Sequence, residues 1–281
     1  MTPRRVLRTV VGSLMTGATY GTALLAILPL AAILAMLIVK GAGSLNWDFF
    51  VKSAVPLGES GGGFAHAIVG TLIIVALACA VGLPVGVATG IFLAEFGGGR
   101  IGFGIRFVAD ILNGIPSIVI GVFAWSWVVR PMGHFSAVAG GFALAVILVP
   151  IVARTTEEMV RLVPNSLREA ALALGYPRWR TSLQVVLRTA AAGIVTGCLV
   201  AVARVAGETA PLLFTALGND FFSTRLLAPM AALPLQIYRY AEGPYDDWHR
   251  QAWAGALVLI LLVLALSLVA RAVVRGRRQH A

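Results

Sequence analysis

Apolar residues in this chain run in long unbroken stretches rather than alternating with polar ones. Six stretches stand out, at about 19–39, 65–93, 107–129, 138–155, 189–213 and 251–272. Each is close to the roughly 20 apolar residues that a helix needs to cross a bilayer. Continuous runs predict helices, whereas a membrane barrel would alternate apolar and polar positions. The first stretch follows Arg4, Arg5 and Arg8 as a secretion signal would, but its apolar core is too long for one and predicts an uncleaved span. The pattern reads as an all-α integral membrane protein with six transmembrane helices. Residues 1–18 precede the first span, 19–64 hold that span and a following segment, 65–272 form the main core, and 273–281 are a basic tail.

Composition agrees. Of 281 residues, 59% are hydrophobic and 12% charged, where a soluble domain carries about 25% charged. Arginine placement predicts direction. Arg4, Arg5 and Arg8, Arg100 and Arg106, the arginines from Arg154 to Arg188, and Arg271, Arg275, Arg277 and Arg278 all fall on one side of the predicted membrane. The other side holds the sparser Lys40, Lys52, Arg130, Arg225, Arg239 and Arg250. By the positive-inside rule both termini are cytoplasmic. The net charge of +10 is then a matter of topology and argues against nucleic-acid binding.

The two cysteines, Cys79 and Cys198, sit inside apolar runs and read as small buried hydrophobes. The histidines (His66, His134, His249, His280) form no metal-binding spacing, so no metal is expected. Pro29, Pro84, Pro116, Pro150 and Pro211 recur within the spans. In membrane helices such residues permit bends, and the abundant glycines permit close packing.

The longest inner loop, 154–188, contains "PNSLREAALALGYP" at 164–177. Pro164 stops what precedes it, and Ser166 with Glu169 three residues later spells a capping box. Leu167, Ala170, Ala171 and Leu174 lie on one helix face. Gly175 suits a left-handed end, and Pro177 bars continuation. So short a helix is marginal alone. It needs a surface to dock on, either this protein's own spans or a partner. "EAALALG" at 169–175 with "VVL" at 185–187 resembles the cytoplasmic signature of permease subunits of bacterial ATP-binding-cassette importers. Val185 stands where that pattern has isoleucine, and Arg188 where it has proline. The resemblance covers residues 65–272 and implies a type I importer architecture in the bacterial cytoplasmic (inner) membrane. It also implies that Glu169, Ala170, Ala171 and Gly175, within a coupling segment at 156–188, dock on a separate ATP-hydrolysing subunit. The chain has no G-x-x-x-x-G-K-[ST] phosphate loop, and its lysines are Lys40 and Lys52. No cofactor is therefore expected on this chain, and ATP belongs to the partner.

"ARVAGETAPLLFTALGNDFFS" at 203–223 places Arg204 and Glu208 in an apolar run. An arginine there costs about 2.5–3.5 kcal/mol on insertion scales. Glutamate at i+4 on a helix can pair with it, and the planar guanidinium suits phosphate oxygens. Thr209 adds a hydroxyl. On the residues alone, a structural ion pair locking two helices and an anion path both stay open. Asp110 and Asn113, at the inner end of the third span, are weaker candidates for that path and read first as helix-end polar groups. The stretch, with "NGIPSIVIGVFAW" at 113–125, resembles the A-type permeases of phosphate importers. Sulfate and molybdate permeases usually carry Gly-Glu-Phe-Gly where this chain has Gly207-Glu208-Thr209-Ala210. The resemblance implies a substrate path at Arg204, Glu208 and Thr209. It implies as partners a second phosphate permease subunit, an ATP-binding subunit dimer and an extracytoplasmic phosphate-binding protein. Importers of molybdate, tungstate or sulfate share the architecture. A secondary transporter would leave the docking helix without a purpose and should show an inverted repeat. Trp47, Phe49, Phe50, Trp248 and Trp253 suit an interfacial aromatic belt or, as the resemblance implies, the outer surface that receives the binding protein, and "ESGGG" at 59–63 reads as a flexible turn.

Overall fold

The computed structural model describes residues 3–56, 59 and 61–278. Ser60 of the predicted glycine turn, residues 1–2 of the N-terminal segment and residues 279–281 of the tail lie outside them. The helices are α1 (Pro3–Ala42), α2 (Trp47–Val51), α3 (Ala65–Glu95), α4 (Arg100–Gly114), α5 (Ser117–Met132), α6 (Ala137–Arg161), α7 (Asn165–Ala173), α8 (Arg178–Ala206), α9 (Ala210–Leu213), α10 (Leu233–Glu242) and α11 (Asp246–Arg278). Five of these, α1, α3, α6, α8 and α11, are long and apolar enough to cross a membrane. The pair α4–α5 is long and apolar enough only when taken together, and it is bent by 105° at its break, as a broken span or a re-entrant loop is.

That bend falls within the third span expected at 107–129, at one of the prolines that permit bends. Pro116 has no N–H to offer the preceding turn and disfavours helical backbone at Ile115. Ile115 is accordingly extended (φ −72°, ψ 133°), α4 ends at Gly114, and α5 restarts on Pro116. By contrast, Pro29, Pro84 and Pro150 lie inside continuous helices. The fifth span is also displaced from 189–213. It starts at Arg178, includes a wide turn over Thr181–Val186, and stops at Ala206, after which Pro211 opens the separate α9. The fourth span runs past 155 to Arg161 and takes up part of the expected loop.

The central helix is α6, two-thirds buried (67%) over its apolar stretch, against 6% for the peripheral α1. It is flanked by α3 and α8, and glycines set both approaches. Gly82, Gly86 and Gly90 lie one above another on α3 and face Leu148, Val152 and Ala153 of α6. A Cβ on Gly90 would stand 2.5 Å from the Ala153 carbonyl oxygen. Gly193 and Gly197 of α8 meet Met159 and Thr155 on α6. Small residues let helix backbones approach, and dispersion does the rest where lipid removes any hydrophobic drive. Cys79 and Cys198 are half-buried free thiols against this core.

At one end of the bundle an extended segment from 214 to 232 crosses the start of α6. Carbonyls of Thr215, Ala228 and Leu226 accept from the N–H groups of Ser136, Ala137 and Val138, at 3.0, 3.1 and 3.1 Å. Donors that a helix start leaves orphaned are thus satisfied. Beside it Phe49 stacks on Phe64 at 4.9 Å and Tyr240 on Trp248 at 4.6 Å. Phe49 is 1% exposed, so it belongs to this cluster and not to an interfacial belt. The predicted glycine turn is tied down: Gly61 N–H donates to Asp247 Oδ2 (3.2 Å), and Gln251 Nε2 donates to the Gly61 carbonyl (2.6 Å).

Candidate functional site

Two helix interruptions converge on one open side of α6, where Asn113, Pro116 and Arg204 are exposed and Ser117 and Glu208 partly buried. One is the α4–α5 break at Ile115–Pro116; the other is the end of α8 at Ala206. Between them lies a cavity of about 200 Å³. Leu112, Asn113, Pro116, Ser117 and Ile120 line it from the broken span, Ile147 and Ile151 from α6, and Arg204 and Glu208 from the end of α8. Its polar groups are a guanidinium, a carboxylate, an amide and a hydroxyl. Because α5 starts on the cavity wall, the partial positive charge of a helix N-terminus adds to Arg204.

Arg204 and Glu208 therefore share a cavity without making the ion pair that was one of the two open readings. Among the described residues no salt bridge joins them. The i, i+4 relation needs four continuous helical residues, and Gly207 follows the last residue of α8. Thr209 is not on the cavity wall. Its carbonyl accepts from Leu212 and Leu213 N–H at 3.1 and 3.3 Å and starts α9. Asn113, the weaker candidate read first as a helix-end group, is on the wall; Asp110 is exposed on α4. Sequence reasoning missed Ser117 and undervalued Asn113. The signal was present in "NGIPS": a glycine and a proline two apart mark a break, and a break inside a span lines a cavity.

The short helix of the inner loop is α7. It starts at Asn165 with Pro164 as its cap and no side-chain capping bond. Ser166 is thus already inside the first turn, and the predicted capping box does not form. Its other end is as expected. Gly175 has φ +82°, Gly175 N–H donates to the Leu172 carbonyl (3.0 Å), and Tyr176 N–H donates to that of Ala171 (3.2 Å). This is the paired closure of a glycine-terminated helix. The predicted apolar stripe is split: Ala171 is 6% exposed, while Leu167 and Leu174 are 41% and 79% exposed. Glu169 and Ala170 are also exposed. One face of α7 rests on this chain, and the other, apolar and bare, is turned away from it.

Below the cavity, at the α7 end, lies a charged cluster that the sequence did not suggest. Glu157 of α6 is 1% exposed. It accepts from Arg106 Nε at 2.7 Å and pairs with Arg161 at 2.6 Å. Arg106 also donates to the carbonyls of Gly97 (2.9 Å) and Leu93 (2.7 Å), where the end of α3 leaves acceptors open. A three-armed guanidinium thus ties α3, α4 and α6.

The family model described as binding-protein-dependent transport system inner membrane component matches residues 86–279. The chain belongs to this family. It is accordingly a multi-pass inner-membrane transport permease. Relatives include the phosphate transport system permease protein PstA of Xylella fastidiosa (strain Temecula1), 50% identical over 84% of this chain and 83% of that one. The PstA of Haemophilus influenzae is 47% identical over 92% of both chains. The probable PstA of Methanocaldococcus jannaschii is 41% identical over 86% of both. Among solved structures, the permease resembles a chain of a bacterial ABC transporter involved in the import of the acidic polysaccharide alginate. The TM-score is 0.63 at 14% identity, covering 97% of this chain and 99% of that one. A chain of the inward-facing MetNI methionine ABC transporter matches at TM-score 0.58 and 21% identity, covering 75% of this chain and 92% of that one. The fold is thus that of type I importer permeases.

Proposed function

We propose that this permease is a membrane subunit of an ATP-driven importer of inorganic phosphate, and that the anion passes through the cavity at Arg204. The observation that carries this reading is the arrangement of Arg204 and Glu208 on one polar cavity without a bond between them. A buried structural pair would have satisfied both charges. An arginine left open at a helix break offers its planar fork to an oxyanion and stays charged there. Glu208 opposes the anion and keeps its residence short, as conduction requires. Asn113 and Ser117 supply neutral hydrogen-bonding groups on the facing wall. The relatives named as phosphate permeases support phosphate over molybdate, tungstate or sulfate.

The rest of the machine follows from α7 and from the arginine bias. Both termini and α7 face the cytoplasm, the side rich in arginine. Two ATP-hydrolysing subunits dock there on the exposed face of α7, with Glu169, Ala170 and Gly175 in the contact, while Ala171, expected in that contact, is buried and seats the helix on this chain. Nucleotide is held by those subunits. A second, related phosphate permease completes the path along the exposed apolar faces of the spans, which otherwise meet lipid. An extracytoplasmic phosphate-binding protein delivers the anion from the other side.

The test is ATP-dependent uptake of labelled phosphate into vesicles holding this chain and its partners. Arg204→Ala and Arg204→Lys are expected to abolish uptake while the ATPase stays bound, and excess molybdate or sulfate is expected to compete weakly. Normal uptake in assembled Arg204→Ala vesicles would remove Arg204 from the path. Stronger competition by another oxyanion would change the substrate.

A further inference from the structure

Glu95 is the last residue of α3. Its side chain is 11% exposed and has both oxygens engaged. Oε1 pairs with Nη1 of Arg168 on α7, and Oε2 accepts from Ser182 Oγ at 2.7 Å. Arg168 donates its other arm, Nη2, to the Val160 carbonyl of α6 at 2.9 Å. Ser182 is buried in the wide turn near the start of α8. One carboxylate therefore joins the second span, the short helix and the fifth span, and Arg168 adds the fourth.

We propose that Glu95, Arg168 and Ser182 are positioning residues that turn a displacement of α7 into a displacement of Arg204. The proposal rests on the reading of α7 as the ATPase docking helix. With nine residues, α7 is too short to hold itself. Its apolar contact with the rest of the chain runs through Ala171, since Leu167, Leu172 and Leu174 are exposed. The clamp is thus its main directional tie, made of charge-assisted hydrogen bonds, which are shorter and stronger than neutral ones. Ser182 and Arg204 are on the same helix, α8, about 33 Å apart at about 1.5 Å per residue. A push on α7 reaches the first turn of α8 through Glu95 and arrives at the cavity through a stiff rod. The wide turn at Thr181–Val186 sits at the joint, where such turns often mark functional positions. α3 is held against α6 by its glycine stripe, so α7 moves only with the ends of these spans.

The experiment uses the whole complex in proteoliposomes, with Glu95→Gln, Arg168→Met, Ser182→Ala and the reciprocal double Glu95→Arg/Arg168→Glu. Phosphate imported per ATP hydrolysed is expected to fall about tenfold in Glu95→Gln and Arg168→Met, the scale of one lost charged hydrogen bond. ATP hydrolysis and ATPase binding stay near wild type, and the reciprocal double recovers part of the loss. A second readout needs no phosphate. With Cys79 and Cys198 replaced by alanine, nitroxides on Phe96→Cys and Leu174→Cys report whether α7 and the end of α3 move together. One distance is expected through the nucleotide cycle, and several once Glu95→Gln is added. An unchanged phosphate-to-ATP ratio in assembled Glu95→Gln and Arg168→Met overturns the proposal. So does a single distance in Glu95→Gln, or a failure to assemble that the reciprocal double does not repair, which makes the clamp a folding contact. If the wild-type complex imports no phosphate, the functional reading fails, and the nitroxide distances still judge the clamp.

Discussion

Arg204 and Glu208 look into one cavity from either side of a helix end, Arg204 on the last turn of α8 and Glu208 just past Gly207. Neither charge is neutralised by the other, so each is available to what enters. Glu208→Gln is expected to leave heat stability almost unchanged, within about 0.5 kcal/mol. Phosphate uptake should then show a lower KM and a lower maximal rate, because the anion leaves more slowly. A large drop in melting temperature would mean that Glu208 has a structural partner.

Pro116→Ala restores an N–H and frees Ile115 from its bias toward extended backbone. The 105° break is expected to relax toward a continuous helix, removing Asn113 and Ser117 from the cavity wall. Uptake should fall while the ATPase still binds; spin-label distances between α4 and α5 would check the straightening.

Gly90→Ala is expected to destabilise the permease by about 1–3 kcal/mol, the usual cost of overpacking. Its Cβ meets the Ala153 carbonyl oxygen and Thr156 Cβ, both at 2.5 Å. Gly104→Ala meets nothing within 4 Å and should be neutral or slightly stabilising by helix propensity. Heat-denaturation curves of the two variants in detergent would rank them.

Glu157→Ala should cost about 2–4 kcal/mol, because Arg106 loses its charged partner in a mostly buried setting. Arg161→Ala, whose side chain is 55% exposed, should cost less than about 1 kcal/mol. Equal losses in a thermal-stability assay would contradict the central place of Arg106.

At Gly175, φ +82° is open to glycine and costs other residues about 1–2 kcal/mol. Gly175→Ala is therefore expected to fray the end of α7 and weaken ATPase binding about tenfold. Co-purification at graded ATPase concentrations reads this directly, and Gly175→Asn should do less harm.

Much of the scaffold was legible from runs of apolar residues. The spans at 65–93 and 251–272 lie within α3 and α11, and Gly175 and Pro177 marked the end of α7 correctly. The starts and ends of spans were harder. "ARVAGETAPLL" looks uniformly fit for a helix, yet Gly207 ends α8, and Pro211 opens α9. In "NGIPS" the break was written in the proline, but hydrophobicity averaged over a span conceals one extended residue.

Hydrophobicity and local propensity act between near neighbours. The chain alone therefore determined where its candidate spans lie, where α7 ends, and which charges lie within apolar runs. Which charges meet was decided only by tertiary structure. Glu95 finds Arg168 and Ser182, and Glu157 finds Arg106, across separations at which no period or spacing carries information. Arg204 and Glu208, neighbours in sequence, are kept from pairing by a helix end and brought to one cavity by the packing of α4, α5 and α6. Contacts of that kind depend on the close approach of backbones at Gly82, Gly86 and Gly90, and that approach exists only once the helices are assembled.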